Sequence, residues 1–287
     1  MHLFNGVFYP VNDFDREEEL ANLFLVGYPR SGTTYLANIF SSLDDIFVPK
    51  IKEPKFFDSR YTALGMALSN TEYCKLYVDS TERYRLDGST SYISSPDFYK
   101  ALQSFPVDVK CIICLRKPSE AAFSLYNRLH DDLVDRRTQV KWTLPVSFRT
   151  DYEYIFDPIH MNNFLDAEFK HSTLLFTFNE LLEKDFDRLK SFLKVDIDAH
   201  SLRTNSNQAT RFKNKLVRNS FHALNAIYLA TGLKFGFGIM RWIKNITSKP
   251  SSNGSVPQWF MDNNPRLIEF DIEFDIEYER IISDYNC

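Results

Sequence analysis

The chain has 287 residues, of which 44% are hydrophobic and 25% charged. That composition excludes a disordered chain and suits either one large α/β domain or two small ones. A formal charge of −4 excludes a general nucleic-acid binder, whose phosphate contacts demand a basic surface, and no run reaches the ~18 apolar residues of a membrane span.

Residues 1–20 read as an N-terminal tail without the basic start of a secretory signal, so a cytoplasmic location is expected. Leu23-Phe-Leu-Val26 is a short apolar run with the character of a buried strand. It leads into the glycine loop Gly27-Tyr-Pro-Arg-Ser-Gly-Thr-Thr34, and Leu36, Ile39, Phe40 and Leu43 then recur at helical spacing. Further strands are predicted near Ile46–Val48, Tyr84–Leu86, Val109–Leu115 and Leu174–Phe178. Pro118 opens a helix through His130, as proline does in a first turn. Leu181, Leu182, Phe186, Leu189, Phe192 and Leu193 predict one amphipathic helix after the last strand. Lys249–Ser255 reads as a loop ahead of a C-terminal helix over Pro265–Ile282. Strands alternating with helices predict an α/β protein: a three-layer phosphate-loop fold with a central parallel sheet flanked by helices. With no internal repeat and no strong boundary, 1–287 is expected to form a single domain, in which the aperiodic 131–160 is an acceptor-side insertion.

Cys111 and Cys114 form a Cys-x-x-Cys pair. Within a strand, residues three apart point to opposite faces, so an inert core pair is expected rather than a redox or zinc site. The sequence has no His-Glu-x-x-His, no calcium loop and no Cys/His cluster, and no metal is expected.

The glycine loop carries the chemistry. Gly27 and Gly32 stand five apart between a strand and a helix, the context in which such a loop holds a phosphate. The helix N-terminus offers N–H groups, Thr33 and Thr34 offer hydroxyls, and Arg30 offers a forked cation. In nucleoside-triphosphate loops a Lys follows the second glycine; here it is Thr33, which weakens the alternative reading as a small-molecule or nucleoside kinase.

Gly-Tyr-Pro-Arg-Ser-Gly-Thr-Thr resembles the 5′-phosphosulfate loop of sulfotransferases that use 3′-phosphoadenosine 5′-phosphosulfate (PAPS) and release adenosine 3′,5′-bisphosphate (PAP). The resemblance implies that Arg30 faces the bridging oxygen of the leaving group. It implies too that Ser31, Gly32, Thr33 and Thr34 hold the 5′ end and that Tyr35 meets the adenine. Arg116 at the end of a central strand, with Ser124 eight residues later, resembles the family's 3′-phosphate motif. Leu202–Lys213 resembles the late loop over the cofactor, with Arg211 as its cation. Lys52-Glu53-Pro54-Lys55-Phe56-Phe57 resembles the Lys-Glu-Pro-x-Phe-Phe stretch of heparan sulfate-type carbohydrate sulfotransferases. That resemblance implies Glu53 as base, Lys52 as its assisting cation, and a hydroxyl acceptor on a carbohydrate or glycolipid. Ser89, Ser91 and Tyr92 are expected to line the same site. The resemblance runs from about residue 22 to the end, and none of the six His falls in a matched motif. Leu233–Lys244 mixes aromatic and basic residues; it reads as a core-covering or acceptor-cleft segment, with peripheral contact to a membrane surface as the other reading.

Overall fold

The computed structural model describes residues 20–63, 68–103, 108–132, 154–160, 173–198, 210–212, 248–250 and 255–285. Five parallel strands form its main sheet: β1 (Leu23–Gly27), β2 (Ile46–Phe47), β3 (Tyr84–Asp87), β4 (Lys110–Leu115) and β5 (Thr173–Thr177). Their order is β2-β3-β1-β4-β5, with Leu23 beside Leu86 on one side and Lys110 on the other. All five predicted strands are present. Every strand is parallel, so all the carboxyl ends meet one edge, and the chain winds both ways from β1. The crevice outside β1 at that edge is where such sheets bind ligands.

Alternation along the strands divides the core in two. Phe24, Val26, Cys111, Ile113 and Leu115 face one layer, and Leu23, Leu25, Ile112 and Cys114 face the other. The first layer holds α4 (Pro96–Gln103), α5 (Pro118–Asp132), α8 (Gln258–Asp262) and α9 (Arg266–Tyr285) through Phe98, Leu102, Ala121, Ala122, Phe260, Leu267, Phe270 and Phe274. The second holds α1 (Thr33–Phe40), α6 (Phe178–Glu183) and α7 (Asp187–Leu193). An eight-residue helix such as α1 does not persist alone in water. Burial of Leu36, Ile39 and Phe40 at about 1.5–3 kcal/mol each holds it in place. Cys111 and Cys114 lie on opposite faces, as their spacing requires.

The structure corrects three boundaries. The single helix expected over 181–193 is two, because Lys184 caps α6 in the left-handed conformation (φ 58°) and α7 starts afresh at Asp187. The capping box of Thr177 and Glu180 fixes where α6 begins. Lys249 and Pro250, expected in a loop, belong to β7 (Ser248–Pro250), which pairs antiparallel with β6 (Thr210–Phe212) apart from the main sheet. Three-residue strands carry no periodic signal. Leu20, placed in the tail, is fully buried in the first core layer. Residues 1–19 and 133–153 and the segment Leu233–Lys244 lie outside the described residues.

Part of the aromatic content gathers beneath one loop. Phe24, Phe57, Tyr92 and Phe98 touch ring to ring, Tyr92 stacks on Phe98 at 4.4 Å, and Phe56 stacks on Tyr73 at 4.4 Å. α3 (Asn70–Cys74) supplies Tyr73. This cluster is the floor of the Lys52–Asp58 segment.

Candidate active site

The loop after β1 reverses the chain through three residues with positive φ: Gly27 (147°), Arg30 (72°) and Gly32 (96°). Arg30 is the costly one, since a left-handed L-residue is disfavoured by roughly 1–2 kcal/mol. Ser31 closes the turn, donating to the Tyr28 carbonyl from both its amide (3.2 Å) and its hydroxyl (2.7 Å). Gly32 then caps α1 with no side chain of its own, and no acidic residue occupies the first turn. Its bareness is required: a Cβ there would lie 2.3 Å from Leu181 Cδ2. The loop thus presents a helix N-terminus with positive potential to whatever sits above it. Ser31 and Thr33 are buried, whereas Thr34 is exposed. Tyr35 is half-buried and packs against the second core layer.

Arg116 leaves the end of β4 and lies under the loop. Its Nη1 donates to the Arg30 carbonyl (3.1 Å), its Nε pairs with Glu120 Oε2 (3.2 Å), and its guanidinium stacks on the Phe178 ring at 4.1 Å. Burial pulls its pKa down from the usual arginine value, while Glu120 opposes the shift. Arg30 in turn donates from Nε to Ser124 Oγ (3.3 Å) on α5. The two phosphate motifs identified in the sequence, separated by more than eighty residues, therefore meet: Arg30, Arg116 and Ser124 form one linked group.

A second set of side chains approaches the loop from the segment that follows β2, on the β3 side. Lys52 Nζ donates to Thr33 Oγ1 (3.3 Å) and to Glu53 Oε1 (3.1 Å). Gly88, just beyond β3, makes room for it, since a Cβ there would lie 2.8 Å from Lys52 Cε. The Gly88 amide donates to the Lys52 carbonyl (2.9 Å). Lys55, left-handed at φ 56°, turns its ammonium away onto the Tyr61 ring at 4.1 Å. Of the two flanking lysines, it is Lys52 that pairs with Glu53.

Of the three residues expected beside the acceptor, two are structural. Tyr92 is fully buried, its hydroxyl accepting from the Phe57 amide (3.2 Å) and donating to Asp87 (3.0 Å). Ser89 is buried and accepts from the Lys55 amide (2.9 Å). Ser91 keeps a buried hydroxyl with no partner among the described residues. Arg211 lies in β6, paired with Lys249 of β7. Sequence reasoning missed Phe178, Glu120 and Asp87. Glu120 had a signal, four residues after Arg116 on a helix start; Phe178 and Asp87 had only their places at strand ends. Among the described residues no group of three or more His, Cys, Asp or Glu is gathered for a metal, and none of their helices is long and apolar enough to cross a membrane.

The arrangement is a cradle for an anion, with cations on two sides and a carboxylate within reach of the loop. The sequence model of the Sulfotransferase domain matches residues 20–224, which contain every one of these elements. The chain belongs to the sulfotransferase family. No curated protein matches it by sequence. Among solved structures, this sulfotransferase is similar to a sulfotransferase from Alicyclobacillus acidocaldarius, with 20% identity over 77% of this chain and 98% of that one and a TM-score of 0.50. At that identity the likeness bears on the fold, which is the three-layer phosphate-loop architecture. Similar too are the sulfotransferase domain of the Synechococcus PCC 7002 olefin synthase (18% identity, 68% of this chain and 80% of that one, TM-score 0.46) and a mouse sulfotransferase complexed with PAP (18%, 82% and 92%, 0.44).

Proposed function

We propose that this sulfotransferase takes its sulfuryl group from PAPS and transfers it to a hydroxyl of a carbohydrate or glycolipid, releasing PAP. The observation that carries the reading is the bridge from Thr33 through Lys52 to Glu53, which joins the phosphate loop to the Lys-Glu-Pro segment. In this scheme Glu53 removes the proton from the acceptor hydroxyl as its oxygen bonds to sulfur. The bond from sulfur to the bridging phosphate oxygen breaks, and Arg30 and Lys52 face the charge that develops on that oxygen. Ser31, Gly32, Thr33 and Thr34 hold the 5′ end, Tyr35 borders the adenine, and Arg116 with Ser124 holds the 3′-phosphate, joined by Arg211 from the late segment. Arg116 suits that role because its guanidinium is already stacked and oriented, so little freedom is lost when an anion binds. The residues fit a donor with two separate anionic groups better than a triphosphate, because Thr33 stands where a Lys would reach the far phosphates.

The same proposal takes 1–287 as one working unit in a cytoplasmic setting, with 131–160 on the acceptor side and Leu233–Lys244 available for a peripheral membrane contact. The test is incubation with radiolabelled PAPS and three acceptors: a heparosan oligosaccharide, a galactosylceramide and p-nitrophenol. Label on either sugar acceptor is expected. Label on the phenol alone overturns the carbohydrate assignment, and preference for magnesium ATP over PAP in calorimetry overturns the donor. Glu53→Gln should retain PAP binding and lose transfer by about 10²–10⁴-fold, the range for a positioned base; loss of both would make Glu53 a structural residue.

A further inference from the structure

Two buried carboxylates among the described residues stand outside the scheme above: Asp58, which is paired with Arg60, and Asp87, at the end of β3. Asp87 is fully buried, and among the described residues no Lys, Arg or His pairs with it. Its Oδ2 accepts from the hydroxyls of Tyr73 (3.1 Å) and Tyr92 (3.0 Å), and its Oδ1 from the Ser89 amide (3.0 Å). Those partners hold the Lys52–Phe57 segment. Tyr92 Oη accepts from the Phe57 amide, Ser89 Oγ accepts from the Lys55 amide, and the neighbouring Gly88 amide donates to the Lys52 carbonyl. Asp87 is therefore one bond removed from two of these backbone anchors and adjacent in sequence to the third; a further anchor, the Ser95 hydroxyl donating to the Phe57 carbonyl (3.2 Å), lies apart from it.

The segment needs anchoring. Lys55 sits in the left-handed conformation, which L-residues avoid, one residue before the stacked Phe56 and two after Glu53. A carboxylate in this place is poorly explained as core filling. Its partners Tyr73 and Tyr92 belong to an aromatic cluster with Phe24, Phe57 and Phe98, against which an apolar residue would pack without the desolvation cost of an acid. What the acid adds is acceptor capacity: one oxygen fixes two tyrosine hydroxyls so that Tyr92 presents a lone pair to the loop.

We propose that Asp87 is a positioning residue for sulfuryl transfer, fixing through Tyr92 and Ser89 the backbone that carries Lys52 and Glu53. The inference rests on the function proposed above and adds to it a residue that touches neither donor nor acceptor. It separates two properties of the site. The donor loop after β1 has its own internal bonds and stands without Asp87, whereas the acceptor-side segment depends on it.

The test uses the full chain with Asp87→Asn, Ser89→Ala and Tyr92→Phe. The first replaces an acceptor oxygen by a donor group. The other two remove one link each, and circular dichroism together with thermal unfolding identifies the variants that fold. PAP release from PAPS in the presence of a heparosan oligosaccharide counts transfer to sugar and to water together. In folded variants kcat should fall about tenfold or more, as misplacement of reacting groups does. KM for PAPS and Kd for PAP should stay within about twofold, the pattern of an interaction made only in the transition state. Hydrogen exchange at the Lys55 amide should quicken in Ser89→Ala and at the Phe57 amide in Tyr92→Phe, while residues 27–34 keep their wild-type rates. A folded variant with wild-type kcat overturns the assignment, and so does a PAP affinity that weakens in step with kcat, which would make the network a general prop. If the wild-type chain binds no PAP, the donor reading falls and takes this inference with it; if it binds PAP and turns over PAPS, only Asp87 is at stake.

Discussion

The ammonium of Lys52 lies 3.3 Å from the hydroxyl of Thr33, the first residue of the helix that opens at the phosphate loop. One side chain thus spans from the β3 side of the crevice to the β1 side, and it arrives already paired with Glu53. A cation in that place is available to both halves of a transfer. In the scheme proposed above it would meet the leaving oxygen and hold the carboxylate that receives the acceptor's proton.

Lys52→Met should therefore damage chemistry more than binding. Removal of one preorganised donor aimed at developing charge costs about 10²–10³-fold in kcat. The loop's own amides remain, so Kd for PAP should weaken by less than about tenfold. Single-turnover transfer from radiolabelled PAPS together with calorimetry on PAP checks both numbers. Equal losses in the two would mean that Lys52 binds the donor and does no more.

Arg116→Lys tests the 3′-phosphate assignment. A lysine keeps the charge and loses the flat surface against Phe178, the fork towards the Arg30 carbonyl and the bond to Glu120. PAP affinity should fall by about tenfold or more, the scale of one charge-assisted hydrogen bond. Adenosine 5′-phosphate, which lacks the 3′ group, should bind the variant and the wild type alike. Calorimetry with the two nucleotides distinguishes a phosphate contact from a general prop of the loop, which would weaken both.

How far the sequence alone reaches can be judged from single residues. The central strands were legible because burial on both faces writes an unbroken apolar run, as in Leu23–Val26 and Cys111–Leu115. The loop after β1 was legible because a tight turn ahead of a helix needs glycines at fixed spacing; Arg116, Ser124, Lys52 and Glu53 were singled out through family resemblance, and the structure brings them to that loop. What could not be read is anything set by side chains meeting across the sheet. Phe178 follows a strand like many aromatics, and nothing local announces that Arg116 will lie on it. Asp87 looks like one more acid near a turn; its burial depends on Tyr73 from α3 and Tyr92 from the following turn. The break at Lys184 was hidden for a related reason, since Leu182, Phe186, Leu189 and Leu193 keep helical spacing across a residue that leaves the helix.

The Cys111–Cys114 pair should be silent to thiol reagents in the native state. The two side chains face opposite core layers and cannot meet in a disulfide. Burial pushes the Cys114 thiol up to about 12 and the Cys111 thiol still higher, which leaves almost no thiolate at neutral pH. Mass spectrometry after a brief exposure to iodoacetamide should find both unmodified, and both labelled once urea has unfolded the chain. Rapid native labelling of either would reopen the redox reading.

Asp87 also predicts a pH dependence of stability with a sign opposite to that of most carboxylates. Desolvation raises its pKa from the ordinary 3.8 to about 6, against the lowering effect of its hydrogen bonds from Ser89, Tyr92 and Tyr73. The titratable groups facing it are Tyr73, Tyr77 and Tyr92, whose own pKa values burial raises well above the ordinary 10, so they stay neutral through the window that matters. Because the folded state holds this proton more tightly than the unfolded chain, its contribution to stability is full below about pH 4. It is lost as pH rises through about 6. At about 1.4 kcal/mol per pKa unit, a shift of roughly two units amounts to about 3 kcal/mol. Asp87→Asn removes the titration and leaves every other group in place, including Asp271, whose burial also raises its pKa. Urea unfolding of both proteins between pH 4.5 and 7.5 isolates the effect as a difference. About a third of the effect already lies below pH 4.5, so the wild type should lose about 2 kcal/mol relative to the variant across that range. A flat difference would mean that Asp87 is ionised throughout, and that Tyr73, Tyr92 and Ser89 solvate its charge as well as water does.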